Sequence, residues 1–306
     1  MNRNSRIVLK KGTLWQTLVQ TTEIALRTGA QLPMPTDYEF IEDGGIQFFV
    51  RILSSLQRKD EAKQKQQESS ALGKTINPFL PYEKALFVAD ISDTHVALLN
   101  KFNVLEHHLL IVTRDFEDQE NLLTIQDFEA LWSCMGEYNG FGFYNGGEAA
   151  GASQPHKHLQ MVPLPLAPVG PEVPIEPLFD DARFEDGLGI VPGLPFLHVF
   201  TRLEDNIVAS PLDAARMTFD LYAAMLNRVG LESPSADVLK QQSTPYCFLT
   251  TRKWMFLVPR SKEFFDSISI NSLGFAGALL VRNREQMDRL KKCGPVAALK
   301  SVALPV

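Results

Sequence analysis

Apolar positions along the chain recur first with a helical and then with a strand-like period. Leu14, Leu18, Ile24 and Leu26 lie among polar neighbours, and Gly29 follows them. That spacing predicts an amphipathic helix from Thr13 to Arg27 with a glycine stop. IQFFVRIL at 46–53 reads as a strand. ALFVAD, VALLNKF and HLLIVTR, between 85 and 114, read as short strands separated by turns. Ile125, Phe128, Leu131 and Trp132 share one face of a helix predicted from about Thr124 to Met135. The run GFGFYNGGEAAGASQPHKHLQMVPLP, 140–165, reads as a strand, a glycine-rich turn and a second strand. Two further helices are predicted, a long one at 212–229 and a final one near 283–292.

Two interruptions organise this pattern. QRKDEAKQKQQESSALGKTINPFLPYEK, 57–84, has few large apolar groups before Phe79. It reads as an exposed, mobile loop of the kind that covers an active site. Prolines at 163, 165, 168, 171, 174 and 177 suggest an extended linker, dividing the chain into halves at 1–165 and 166–306. The second half partly echoes the first: FFVRI (48–52) resembles HVFTRL (198–203), and LLIVTRDF (109–116) resembles MFLVPRSKEF (255–264). Matches this short leave an ancient duplication and chance equally open. In a duplicated chain the second copy would have lost its paired histidines, leaving one site for chemistry.

Composition narrows the class. A chain of 306 residues, 45% hydrophobic and 22% charged, can bury a sizeable core and is ordinary for a soluble globular protein. Its net charge of −6 argues against a main role in gripping nucleic-acid backbones. Cys134, Cys247 and Cys293 lie far apart, fitting a reducing compartment and neither a disulfide framework nor a zinc knuckle. The amino terminus lacks the apolar core of a signal peptide, and no run reaches the ~18 apolar residues of a membrane span. A cytoplasmic protein, free of nucleic acid and membrane and compatible with a monomer, is expected.

The candidate chemistry sits in GASQPHKHLQMVPLP, 151–165. On a strand, alternation sends His156, His158 and Gln160 to one face and Lys157, Leu159 and Met161 to the other. Three polar groups spaced at roughly 6–7 Å suit a row of phosphate contacts. Histidine is a competent nucleophile toward phosphorus once its ring is held in one tautomer. Gly151, Ala152, Ser153 and Gln154 offer backbone N–H groups and a hydroxyl as a cradle for oxyanions. Two histidines at this spacing could also bind metal, although no nearby Cys, Asp or third His completes a ligand set. A purely structural role stays open as well.

YNGGEAAGASQPHKHLQMVPLP resembles the active-site strand of the histidine-triad superfamily. It is closer to the His-x-His-x-Gln branch, which holds the diadenosine tetraphosphate phosphorylases (ATP adenylyltransferases) and galactose-1-phosphate uridylyltransferase. LLNKFNVLEHHLLIVTRDFE (98–117), PYCFLTTRKWMFLVPRSKE and INSLGFAGALLVRN are similar to the phosphorylases in particular. The matches span about 45 to 285. The resemblance implies an α+β fold: a histidine-triad-like antiparallel sheet with flanking helices in two pseudo-repeated halves, the N-terminal half catalytic.

That resemblance also implies roles. His158 would attack the phosphorus nearest one adenosine and release ATP, and the adenylyl-histidine would pass AMP to inorganic phosphate, giving ADP. Gln160 would hydrogen-bond the reacting phosphate, and His156 would orient the nucleophile or contact phosphate. Asn145 and the turn of Gly151, Ala152, Ser153 and Gln154 match positions that hold the nucleotide and its phosphates. Asn100 and Lys101 would run beside the ribose, Lys59 (or Arg58) and Arg282 would contact the polyphosphate, and Tyr246 would touch substrate. Expected partners are a dinucleoside polyphosphate and inorganic phosphate. No organic cofactor or protein metal site is implied, and magnesium would ride on the polyphosphate.

Plainer roles stand beside these. The glycines of 140–151 could serve only the turn, Asn100 could cap a strand end, and Lys59 could simply be solvated. His107, His108 and His198 read as structural, and Trp254 and Met255 as core. Cys247 stands where asparagine is common, and Ala278 where a larger residue would touch the base. A transferase acting on a sugar-1-phosphate uses the same nucleophile, a hydrolase usually carries histidine at the position of Gln160, and a pure nucleotide-binding regulator needs no nucleophile.

Overall fold

The computed structural model describes residues 6–54, 77–205, 207–234 and 239–306. Its centre is a ten-stranded antiparallel sheet in the order β3 (Phe87–Asp90), β4 (His95–Leu99), β5 (Leu109–Thr113), β7 (His158–Pro163), β6 (Gly140–Gly146), β11 (Tyr246–Thr250), β12 (Trp254–Pro259), β10 (Val199–Arg202), β9 (Leu188–Ile190) and β8 (Arg183–Glu185). A three-stranded sheet holds β1 (Thr36–Asp43), β2 (Ile46–Leu53) and β15 (Ala278–Val281), with β15 parallel to β2. β13 (Phe264–Phe265) and β14 (Ile268–Ser269) form a small hairpin.

Strand alternation divides the core in two. On one face Leu109, Ile111, Leu159, Met161, Tyr144 and Phe248 pack beneath α1 (Leu14–Thr28), α2 (Ile125–Met135) and α3 (Pro211–Arg228). On the other, Phe141, Phe143, Val162, Cys247 and Phe256 meet Phe48, Val50 and Ile52 of β2. The same core takes in α4 (Ser272–Phe275), α5 (Arg284–Cys293) and α6 (Pro295–Val302). This is the mixed α+β architecture with an antiparallel sheet and flanking helices that was expected.

Most elements follow their patterns, with instructive exceptions. α1 ends at Gly29 in a left-handed conformation (φ 74°) but buries Leu14, Leu18, Thr22 and Ala25, leaving Ile24 and Leu26 exposed. α2 starts with a capping box: Thr124 Oγ1 accepts from Asp127 N, and the Asp127 carboxylate accepts from Thr124 N. β1 and α6 had no counterpart in the sequence reading. The proline-rich segment is partly buried, at Leu166, Ala167, Val173 and Ile175, and β6 pairs directly with β11 across the halves. The echo between FFVRI and HVFTRL falls on strands of different sheets, β2 and β10. Most of the polar stretch read as a loop, 57–76, lies outside the described residues.

Behind the histidine strand, Lys157 is fully buried on the face opposite His158. Its Nζ lies 2.6 Å from Asp127 Oδ2 and 3.2 Å from Glu117 Oε2 and donates to Leu122 O (3.1 Å). His95 Nε2 lies 3.0 Å from Asp127 Oδ1. Burial would raise the Asp127 carboxyl, but the Lys157 charge and the His95 contact hold it well below the usual carboxylate range. This network ties the entry of β7 to the start of α2, and so fixes the strand that carries the histidines.

Candidate active site

His158, Gln160 and His156 stand on the sheet face that Lys157, Leu159 and Met161 avoid, as alternation requires. His158 opens β7, and its Nδ1 donates to the carbonyl of His156 (2.8 Å). A carbonyl can only accept, so the proton sits on Nδ1 and Nε2 keeps its lone pair. Burial lowers the His158 pKa to about 4, against the opposing pull of the bond to His156 O. At neutral pH the ring is therefore an uncharged imidazole whose Nε2 bonds to no described residue.

His156 is engaged at both nitrogens. Nε2 donates to Thr113 O (2.8 Å), which leaves Nδ1 to accept from Asn77 Nδ2 (2.9 Å). Asn77 Oδ1 in turn accepts from Phe79 N (2.9 Å), and the Phe79 ring centroid lies 5.3 Å from that of His158 and 5.6 Å from that of His156. Phe79 is rooted in an apolar patch of Val96, Leu98, Leu110 and Val112 on the same face. His156 thus holds the Asn77–Phe79 turn and lends its carbonyl to the nucleophile. The alternative, a phosphate contact through its ring, finds no free ring nitrogen here.

Gln160 is oriented by a relay with one consistent assignment. Phe102 N donates to Asn100 Oδ1 (3.1 Å), so Asn100 Nδ2 is the group that faces His108 Nδ1 (3.3 Å). His108 Nε2 then carries the proton and donates to Gln160 Oε1 (2.9 Å). With its oxygen occupied, Gln160 presents the NH₂ donor to a ligand. Burial brings the His108 pKa down to about 4, so the relay does not acquire charge near neutrality. His108→Phe removes the donor and lets the amide rotate. Steady-state kinetics should show kcat falling about 10- to 100-fold with little change in KM, and an unchanged kcat would refute the relay.

Asn145 lies on β6. Ser272 N (3.0 Å) and Ser272 Oγ (2.6 Å) both donate to its Oδ1, and its Nδ2 makes no hydrogen bond among the described residues. After β6, Gly151 adopts φ 91°, and a Cβ there would lie 2.7 Å from Asn271 Cβ, so the turn requires glycine. Ala152 N donates to Gly147 O (3.2 Å), while Ser153 is exposed and its N–H and hydroxyl bond to no described residue. Gln154 follows, half-buried, at the approach to the histidines.

The remaining candidates lie further out. Lys101 Nζ is 2.6 Å from Glu83 Oε2 at the surface. Arg282 follows β15, is half-buried, and forms no ion pair with a described carboxylate. Tyr246 is not at the substrate face: it is fully buried in the helix-side core, its hydroxyl 2.6 Å from that of Tyr222, because its position on β11 points away from Asn145 and His158. Lys59 and Arg58 lie outside the described residues. Cys247 Sγ accepts from Arg260 Nη1 (3.1 Å) beneath the turn, and Ala278 pairs with Phe49 in the small sheet. His198 donates through Nδ1 to Phe196 O and accepts at Nε2 from Val191 N, a structural role, and Trp254 and Met255 are core. Among the described residues no three His, Cys, Asp or Glu side chains converge as metal ligands, and no helix is long and apolar enough to cross a membrane.

Sequence reading missed Asn77, Phe79, Gln119 and Ser272, each of which reaches the site from a distant segment, and it left His108 as structural. The signals for His108 were its position at the start of a strand and the resemblance, since the superfamily usually has histidine there.

Comparison with known proteins agrees with this geometry. Residues 4–181 match the Ap4A phosphorylase N-terminal domain and residues 192–305 the ATP adenylyltransferase C-terminal domain. Diadenosine 5′,5′′′-P1,P4-tetraphosphate phosphorylase 2 of Saccharomyces cerevisiae is 27% identical over 80% of this chain and 79% of its own length. Protein APA1 of the same yeast is also 27% identical, over 79% of this chain and 78% of its own. The fold matches the crystal structure of yeast Ap4A phosphorylase Apa2 with a TM-score of 0.77, at 22% identity, covering 97% of this chain and 99% of that one. Apa2 in complex with Ap4A matches with a TM-score of 0.75 over the same shares. The chain therefore belongs to the Ap4A phosphorylase family, whose two domains, N-terminal and ATP adenylyltransferase C-terminal, together account for most of its length.

Proposed function

We propose that this chain cleaves diadenosine tetraphosphate (Ap4A) with inorganic phosphate, giving ATP and ADP through an adenylyl-histidine. The observation that carries the reading is the uncharged His158 ring, with Nδ1 committed to a carbonyl and Nε2 free, beside an amide donor on Gln160. In the first step Nε2 attacks the phosphorus next to one adenosine. The P–O bond to the adjoining phosphate breaks, and ATP leaves. The ring becomes cationic, and its Nδ1–H bond to His156 O spreads that charge. In the second step an oxygen of inorganic phosphate attacks the same phosphorus, the P–N bond breaks, and ADP departs with the neutral ring restored.

Gln160 Nε2, Asn145 Nδ2 and the N–H and hydroxyl of Ser153 are the donors suited to non-bridging phosphate oxygens, which gain charge as the bonds exchange. Arg282 and Lys59 are proposed as the balancing cations, and magnesium as part of the polyphosphate substrate. Asn100 and Lys101 are proposed to run beside the ribose, just before a groove lined by Pro33–Thr36, Asn103, Val104 and Glu106. The buried Asn103 Oδ1 accepts no hydrogen bond there among the described residues, so it is an acceptor suited to a ribose hydroxyl or a base amine. Incubation with Ap4A provides the test. ATP and ADP should accumulate only when phosphate is present, with a single ATP per enzyme and covalently held AMP when it is absent. Steady release of AMP and ATP regardless of phosphate would replace this reading with a hydrolase.

A further inference from the structure

The histidine strand enters the sheet at a fork. From Gly140–Pro163 to Phe143–Gln160, β6 and β7 pair without a break, and the same register continued two residues would set Asn145 opposite His158. That pair does not form. β6 keeps to β11, where Tyr246 and Cys247 pair with Gly146 and Asn145, and residues 117–119 run antiparallel beside 155–157. Lys157 N donates to Glu117 O (2.8 Å) and Gln119 N to Pro155 O (2.8 Å).

At the crotch of the fork sits the side chain of Gln119, only 2% exposed. Its Oε1 accepts from His158 N (2.8 Å), and its Nε2 donates to Asn145 O (2.9 Å) and His158 O (3.2 Å). One amide thus replaces the backbone bonds that Asn145 and His158 would otherwise exchange. Buried backbone groups must find partners, so without the amide these two strands would either close on each other or lose pairing. The backbone of Gln119 is itself fixed, since the Tyr144 hydroxyl donates to its carbonyl.

We infer that Gln119 is a positioning residue for the adenylyl transfer: its side chain holds β6 and β7 apart at one point and thereby sets the distance between the nucleophile on His158 and the phosphate donor on Asn145. The inference rests on the phosphorolysis reading, because the gap it maintains matters only where a phosphorus must lie between those two residues. The Gln119 amide is buried and committed to backbone groups. It acts through the backbones of the two residues that meet substrate, so its loss disturbs orientation in the transition state more than substrate capture.

Two variants test this, Gln119→Met, which keeps the volume without donor or acceptor, and Gln119→Asn, which keeps the amide but is one methylene too short. Steady-state kinetics with Ap4A and phosphate should show kcat about 10- to 100-fold lower in both, with KM for either substrate within about threefold of wild type. The phosphate-free burst of ATP should slow by the same factor, although the melting temperature of Gln119→Asn stays near that of wild type. A kcat within about threefold of wild type in Gln119→Asn, or a rise in KM at unchanged kcat, overturns the inference. Absence of phosphate-dependent ADP from the wild-type enzyme would instead overturn the phosphorolysis reading itself.

Discussion

Replacing His158 by alanine should abolish phosphorolysis, lowering turnover by about 10⁴-fold or more, equivalent to roughly 5 kcal/mol of lost transition-state stabilisation. Neither of the two neighbouring histidines can take over. Both nitrogens of His156 are bonded to Thr113 and Asn77, and His108 Nε2 is committed to Gln160. The fold should survive, because among the described residues the ring bonds only to the carbonyl of His156, two residues before it. Two measurements check this together: the phosphate-free ATP burst and covalently bound AMP both vanish, while circular dichroism and melting stay close to wild type. Residual turnover above about a hundredth of wild type, or AMP still attached to the protein, would move the nucleophile elsewhere.

Acid should unfold this protein well before its carboxylates lose their charge. His158 and His108 each have a pKa near 4 in the folded state because burial penalises their protonated forms. In the unfolded chain histidine titrates near 6.5, so between these values the unfolded state binds protons that the folded state refuses. The sign follows directly: the contribution is complete above about pH 6.5 and disappears as the pH falls toward about 4. Each group accounts for about 3–4 kcal/mol over that interval, roughly 7 kcal/mol for the pair, an upper bound if the site admits water on acidification. His156 and His198, also lowered by burial, act in the same direction. Asp127, held low chiefly by Lys157 against the effect of burial, adds its own loss only below the ordinary carboxylate value of 3.8. Urea denaturation between pH 7.5 and 4.5 should show the midpoint dropping steeply below pH 6.5. A flat profile would mean that the histidines are hydrated or paired in solution.

Elements with strong local periodicity were legible without coordinates. α2, α3, α5 and the strands around HKHLQ lie where their patterns put them, within a residue or two, because each needs only one apolar face and a cap or breaker. β1 was not legible: TDYEFIED buries none of its residues, so its alternation carries no hydrophobic contrast. Tyr246 was read as a substrate contact, yet a lone strand does not say which face meets the ligand. The pairing of β11 with β6 turns that ring into the core.

The site divides in the same way. Period-2 alternation determined that His156, His158 and Gln160 share a face and that Lys157 turns its back on them, since that needs nothing beyond an extended backbone. The glycine at 151 and its neighbours likewise announced a turn. Tertiary structure alone decided which nitrogen of His158 is free, which way the Gln160 amide points, and what His156 does. Those answers depend on Thr113, Asn77, Asn100, His108 and Gln119, residues that are between 39 and 81 positions from His158. A hydrogen bond acts over about 3 Å in space, and separation along the chain has no bearing on it. Chain order therefore holds the nucleophile's identity, and the fold supplies its orientation.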